Sequence, residues 1–257
     1  MQKALIAGCS FAAIEALAPL PPWDGINYQR YHFRGTVAAG NQAIAARVRW
    51  EVERNHYDHV VVLWSGINRI DIPLAVDFHR RMPPTYRFIL DLEDPVWYLS
   101  GGIAGSWQQN DACPEWVRDQ FREAFLHQTA RSASDVTLRE VAELQTWLDD
   151  RALSYDMSFI YDIHRDYNDR VDVTNNRYRR VAAADRWPHW LALEHCLGQV
   201  DTGSEYYDQI DWSRCVSQDT PYEWCEYRDL LQPDRFHPTK DGLRQWFDQV
   251  LSIDLLS

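Results

Sequence analysis

Positive charge, long apolar runs and paired cysteines are all scarce in this sequence. Across 257 residues, 26 Lys and Arg face 38 Asp and Glu, a formal net charge of -12. No long Lys/Arg run occurs. Sequence-independent nucleic-acid binding needs such residues to neutralise phosphates, so no nucleic-acid partner is expected. Adsorption to anionic lipid is disfavoured for the same reason. No stretch approaches the ~18 apolar residues of a spanning helix, so no membrane is expected either. The five cysteines (Cys9, Cys113, Cys196, Cys215, Cys225) form no C-x-x-C pair, which argues against a zinc knuckle or redox couple. Their odd number leaves one thiol without an intramolecular partner. A reducing compartment is the simpler reading, and a Cys215–Cys225 bridge stays open. Internal repeats, low-complexity tracts and flexible linkers are also missing.

What is present is a chain rich in hydrophobic residues (46%), with 12 Trp, 13 Tyr and 9 Phe. That is enough to fill a sizeable core in one domain spanning 1–257. The N-terminus superficially resembles a lipoprotein leader. Only the short run Ala4-Leu5-Ile6-Ala7-Gly8 precedes Cys9, however, against the roughly 7–15 residues of a secretory apolar region. It reads instead as a first buried strand, Lys3–Ala7.

Val60–Trp64 is the clearest further strand, β-branched and ended by Ser65-Gly66. Tyr86–Leu90 and a weaker Ser158–Tyr161 follow. Helical periodicity marks residues Gly40–Arg54, Glu115–Thr129, Asp135–Arg151 (with Ser134 as cap), Pro188–Leu197 and Lys240–Leu251. Alternating strands and helices predict an α/β fold: a three-layer α/β/α sandwich around a parallel sheet, enlarged by an irregular and helical insertion around 95–155. Asp94–Cys113 reads as an irregular binding loop, with Trp97 and Trp107 as exposed aromatic candidates. Asp162–Asn176 reads as an exposed connection. Asp162, His164 and Asp166 lack coherent ligand spacing, so they predict a solvated loop and no metal.

Sites in parallel sheets lie beyond the carboxyl ends of the strands. Ser10 and Gly66 both fall there. A serine hydroxyl needs a neighbouring base to become a strong nucleophile, and a histidine can supply one. Gly8-x-Ser10-x-Ala12 nearly matches the nucleophile elbow of α/β-hydrolases. That fold puts several strands before its serine, whereas one precedes Ser10.

Four blocks occur in order: Gly8-Cys9-Ser10-Phe11, Gly40-Asn41, Trp64-Ser65-Gly66-Ile67-Asn68-Arg69, and Asp234-x-x-His237 followed by Pro238-Thr239-Lys240-Asp241-Gly242. The pattern resembles the SGNH hydrolases, or GDSL-like esterases, over both ends and the first third of the chain. The resemblance implies an SGNH/flavodoxin-like sheet and ester hydrolysis without a cofactor. Ser10 would be the nucleophile, His237 the base and Asp234 its orienting acid. The oxyanion hole would use the Ser10 N–H, the Gly40 N–H and the Asn68 side chain. Removing one such donor typically costs about 10²–10³ in kcat. A glycine at position 40 would let backbone approach a ligand.

Two positions depart from the pattern. Cys9 replaces the usual Asp, and Arg69 replaces the Asp after Asn68. Arg69 either contacts substrate or pairs with Asp71, and pairing is the favoured reading. The expected partner is a small-molecule or glycan ester, with an O-acetylated sugar the best candidate because flat aromatic rings stack on sugars. Acyl transfer and non-catalytic carbohydrate binding are the alternatives. Compact chains with this ending and no leader also resemble bacteriophage-encoded members, implying a cytoplasmic or virion-associated protein. Oligomeric state is not legible.

Overall fold

A computed structural model of the chain describes residues 3–12, 26–67, 69–74, 89–93, 95–100, 113–164, 200–216, 219–232 and 237–256. Its centre is a five-stranded, all-parallel sheet. The strands are β1 (Ala4–Gly8), β2 (Tyr31–Gly35), β3 (His59–Trp64), β7 (Ser154–Phe159) and β8 (Cys215–Val216), in the order β2-β1-β3-β7-β8. Numbered among themselves, they run 2-1-3-4-5. That is the flavodoxin-like order, whose switch point lies between the first and third strands.

Every residue of β1 is buried, as are Val60–Trp64 of β3. Parallel strands covered on both faces read as continuous apolar runs for this reason. Helices flank the sheet, giving the three-layer α/β/α arrangement. Helix α1 (Asn41–Arg54) packs on β1, β3 and the long helix α3 (Ala130–Asp149). The short helix α4 (Pro221–Tyr227) packs on α5 (Lys240–Val250). Phe247 of α5 meets Phe33 of β2 edge to face at 6.4 Å. Trp246 is fully buried, and its indole N–H donates to the Asp219 carbonyl at 2.7 Å. No helix among the described residues is long and apolar enough to cross a membrane.

Several expected boundaries shift. Helix α2 (Glu115–His127) ends before Thr129 because Thr129 caps α3. Thr129 and Ser132 form a reciprocal capping box, so α3 starts at Ala130 and Ser134 lies inside it. The buried Ser134 hydroxyl accepts from the Asp201 N–H instead of capping a helix. Strand β7 begins at Ser154, not Ser158.

The expected third parallel strand is absent from the main sheet. Ile89–Asp91 is β5 of a separate antiparallel sheet, between whose strands β6 (Val96–Leu99) is central and β4 (Asp71–Leu74) is the other edge. Only a short turn joins β5 to β6, and a parallel pairing would need a crossover of a dozen or more residues. Pro73 is tolerated because β4 is an edge. Tyr86–Phe88 and the expected helix Pro188–Leu197 lie outside the described residues.

Candidate active site

Both ends of the chain meet above β1. The Ser10 Oγ lies 3.1 Å from His237 Nε2, across 227 positions of sequence. This is within the reach a nucleophile–base pair requires. For the hydroxyl to donate, Nε2 must be the unprotonated ring nitrogen, which leaves the proton of the neutral ring on Nδ1.

Ser10 owes its position to Gly8. Strand β1 pairs with β3 so that Gly8 faces Leu63. A Cβ on Gly8 would lie 2.6 Å from the Leu63 carbonyl oxygen and 2.9 Å from the Leu63 Cβ. The missing side chain therefore lets β1 run flush against β3 up to the turn that carries the serine. That turn is closed by the Ala12 N–H donating to the Cys9 carbonyl at 3.0 Å. Ser10 itself is buried. Its own N–H donates to no described acceptor.

His237 is held by backbone. Its carbonyl accepts from the Gln232 N–H at 2.7 Å, and the Thr239 N–H donates to the Leu230 carbonyl at 2.7 Å. Thr239 then caps α5 by accepting from the Gly242 N–H at 3.0 Å. The Pro-Thr-x-Asp-Gly run after the histidine is thus a helix start that fixes the preceding residue. The buried Phe11 ring packs against the imidazole, with centroids 5.5 Å apart.

The Gly40 expectation needs correction. Its N–H is taken by the buried Asp71 carboxylate, Oδ1 accepting at 2.9 Å, while Oδ2 accepts from the Ala43 N–H at 3.0 Å. Asp71 caps the first turn of α1 from outside the helix. In this geometry the Gly40 N–H is a structural donor and is not open to an oxyanion. A Cβ at position 40 would lie 2.7 Å from Asp71 Oδ2, so the glycine makes room for the carboxylate, not for a ligand.

Arg69 is also corrected. It forms no ion pair with Asp71, but its Nη1 donates to the Ala39 carbonyl at 3.0 Å. Ala39 C=O and Gly40 N–H belong to one peptide group, which is gripped at both ends by side chains two residues apart. Next along the chain, the buried Asn41 accepts from the Ser65 N–H at 2.7 Å. It donates to the Ser65 carbonyl at 3.3 Å and to Thr137 Oγ1 on α3 at 3.0 Å. Burial pushes the Asp71 carboxyl up to about 6, against the opposing pull of the two N–H donors and Arg69; Glu140 pushes the same way as burial.

Asp234, Asn68 and Trp107 lie outside the described residues. Trp97 is not in an irregular exposed loop. It pairs with Pro73 within the small sheet, is half-buried against the core, and has a buried indole N–H with no partner. His164 accepts or donates at 3.0 Å to the Tyr207 hydroxyl and packs on Trp212, and no metal-ligating cluster exists among the described residues. Cys215 and Cys225 are both free and buried, so no disulfide joins them. The sequence reading missed Phe11 as a support for the imidazole and the trans-capping role of Asp71.

No family model matches the sequence, and no curated protein does. Among solved structures, the chain is similar to a catalytic mutant of Axe2, an acetylxylan esterase from Geobacillus stearothermophilus. That match has 13% identity and a TM-score of 0.39 over 100% of this chain and 96% of the other. It is also similar to LAE5, an α/β hydrolase enzyme from the metagenome of Lake Arreo, Spain, at 16% identity and a TM-score of 0.38 over 100% and 96%. A third is BT4096, a gut microbial diltiazem-metabolizing enzyme, at 12% identity and a TM-score of 0.34 over 98% of this chain and 46% of the other. Likenesses this distant carry no functional argument, and the chemistry is read from the site.

Proposed function

We propose that this protein is a serine esterase that forms an acyl-enzyme on Ser10. The 3.1 Å contact between Ser10 Oγ and His237 Nε2 carries the reading. Its position at the switch point of the sheet, where such folds place their ligands, supports it. In the proposed cycle His237 takes the hydroxyl proton as Oγ attacks the ester carbonyl. Negative charge on the tetrahedral intermediate is met by the Ser10 N–H and the Asn68 amide. Gly40 could join them only by giving up its Asp71 acceptor. The imidazolium, oriented by Asp234, protonates the departing alcohol. Water, deprotonated in turn by His237, then releases the acid. An O-acetyl group on a sugar remains the proposed substrate. It rests on the family resemblance, since Trp97 does not offer the exposed platform expected of it.

The test is fluorophosphonate labelling of purified protein, with hydrolysis of a p-nitrophenyl ester series. Wild type should label at Ser10, and Ser10→Ala should not. His237→Ala should slow acetate ester turnover by about 10²–10⁴. A folded wild type that neither labels nor hydrolyses any ester of the series refutes the esterase reading. Products formed with and without an acceptor alcohol separate hydrolysis from acyl transfer.

A further inference from the structure

The Ala39–Gly40 peptide is held more firmly than a helix cap requires. Asp71 takes its N–H and Arg69 takes its C=O, at 2.9 and 3.0 Å. The segment leading to it is strained. The Ala39 N–H closes a turn onto the Thr36 carbonyl at 3.2 Å, and Ala38 within that turn has φ of 71°. A left-handed conformation is costly for a non-glycine residue and persists only where surrounding contacts impose it.

The turn is also tied to the nucleophile strand. The Thr36 N–H donates to the carbonyl of Gly8, two residues before Ser10. On its other side the clamped peptide leads into Asn41, which holds both backbone polar groups of Ser65 at the end of β3. One clamp therefore sits between the two strand ends that flank the switch point.

We infer that Arg69 and Asp71 are positioning residues for catalysis: by fixing the Ala39–Gly40 peptide, they hold the ends of β1 and β3 in register around Ser10. The inference rests on the esterase reading of Ser10. Both N–H contacts need an ionised acceptor. A protonated Asp71 keeps one carbonyl oxygen and turns the other oxygen into a donor, so either Gly40 or Ala43 loses its acceptor. The charged groups facing Asp71 are Arg69 from its own segment and Glu140 from α3, and α1 presents only backbone N–H groups. Activity should therefore fall in acid with a proton-dependent step that belongs to Asp71.

The experiment follows p-nitrophenyl acetate turnover from pH 4 to 8 in wild type, Asp71→Asn and Gly40→Ala, with fluorophosphonate titration counting active sites. Asp71→Asn should lower kcat about 10–10²-fold, the scale of a small misplacement at a reacting centre, with KM nearly unchanged. The acid limb of log kcat should have one proton-dependent step fewer in Asp71→Asn than in wild type. Gly40→Ala should reproduce the kcat loss, because its Cβ would displace the carboxylate.

A wild-type log kcat with no proton-dependent step between pH 4 and 8 overturns the inference, and this arm needs no variant to fold. An unchanged kcat in Asp71→Asn overturns it too, as does a lower kcat with an acid limb unaltered from wild type, which would assign that proton to another group. Failure of folded wild type to label at Ser10 refutes the esterase reading itself, and the inference falls with it.

Discussion

Gly8→Ala is the most demanding test of how the fold places Ser10. The added methyl would sit 2.6 Å from the Leu63 carbonyl oxygen, 2.9 Å from the Leu63 Cβ and 3.2 Å from the Ala12 Cβ. Two of these neighbours belong to the adjacent central strand and the third to the serine turn. None is the tip of a flexible side chain, so the clash can be relieved only by moving backbone. Overpacking a close-packed interior typically costs about 1–3 kcal/mol, and the lack of any yielding neighbour puts this site at about 3. For a chain of this size that is roughly 6–12 °C in Tm. Because the relief displaces β1 from β3, the Ser10–His237 contact should lengthen and fluorophosphonate labelling should slow in the surviving native population. Urea unfolding followed by tryptophan fluorescence measures the first effect, and labelling rates in zero urea the second. Gly203→Ala is the control, since its Cβ would meet only an exposed Asp201 oxygen at 3.1 Å, and it should change stability by less than about 0.5 kcal/mol. A Gly8→Ala protein as stable as that control, labelling at the wild-type rate, would show that the glycine's contacts do not set the serine's position.

Two further predictions concern titration. Burial raises the folded-state carboxyl of Asp71 from 3.8 to about 6, so between those values the native state binds more protons than the unfolded chain. Stability must then fall as pH rises through this window, by up to about 3 kcal/mol relative to Asp71→Asn. Urea midpoints of both proteins from pH 4 to 7 measure the difference, and parallel curves refute it. Burial likewise pushes the Cys215 and Cys225 thiols up to about 12. At pH 8 the native protein should leave both unalkylated by iodoacetamide and expose them only on unfolding. Rapid native modification of either, seen by peptide mass, contradicts their placement.

The buried strands were legible because β1 and β3 are apolar on both faces, and the two ends of the site were legible because their residues sit just past a strand or just before a helix. Strand β2 escaped notice. Its sequence, Tyr-His-Phe-Arg-Gly, alternates weakly, and four of its five residues are only half-buried at the sheet edge. Strand β7 opens with Ser154-Tyr155-Asp156, whose polarity hid its first residues. Asp71 could not have been read as a cap, because capping patterns are local whereas its partners lie 28 and 31 positions away. The same holds for Arg69: charge proximity along the chain favoured a pair with Asp71, but the fold offered it a carbonyl instead. Where local signals decide, as in the β-branched run of β3, sequence suffices. Where a side chain is claimed by a distant backbone group, it does not.

The union of Ser10 with a histidine 227 positions away has a consequence for biosynthesis. Translation adds roughly 5–20 residues each second, so the serine precedes its base from the ribosome by roughly 10–45 s. During that interval the nascent chain holds a hydroxyl of ordinary reactivity. On the esterase proposal, chemistry on Ser10 begins only once the segment bearing His237 has docked, so the appearance of labelling would time that docking.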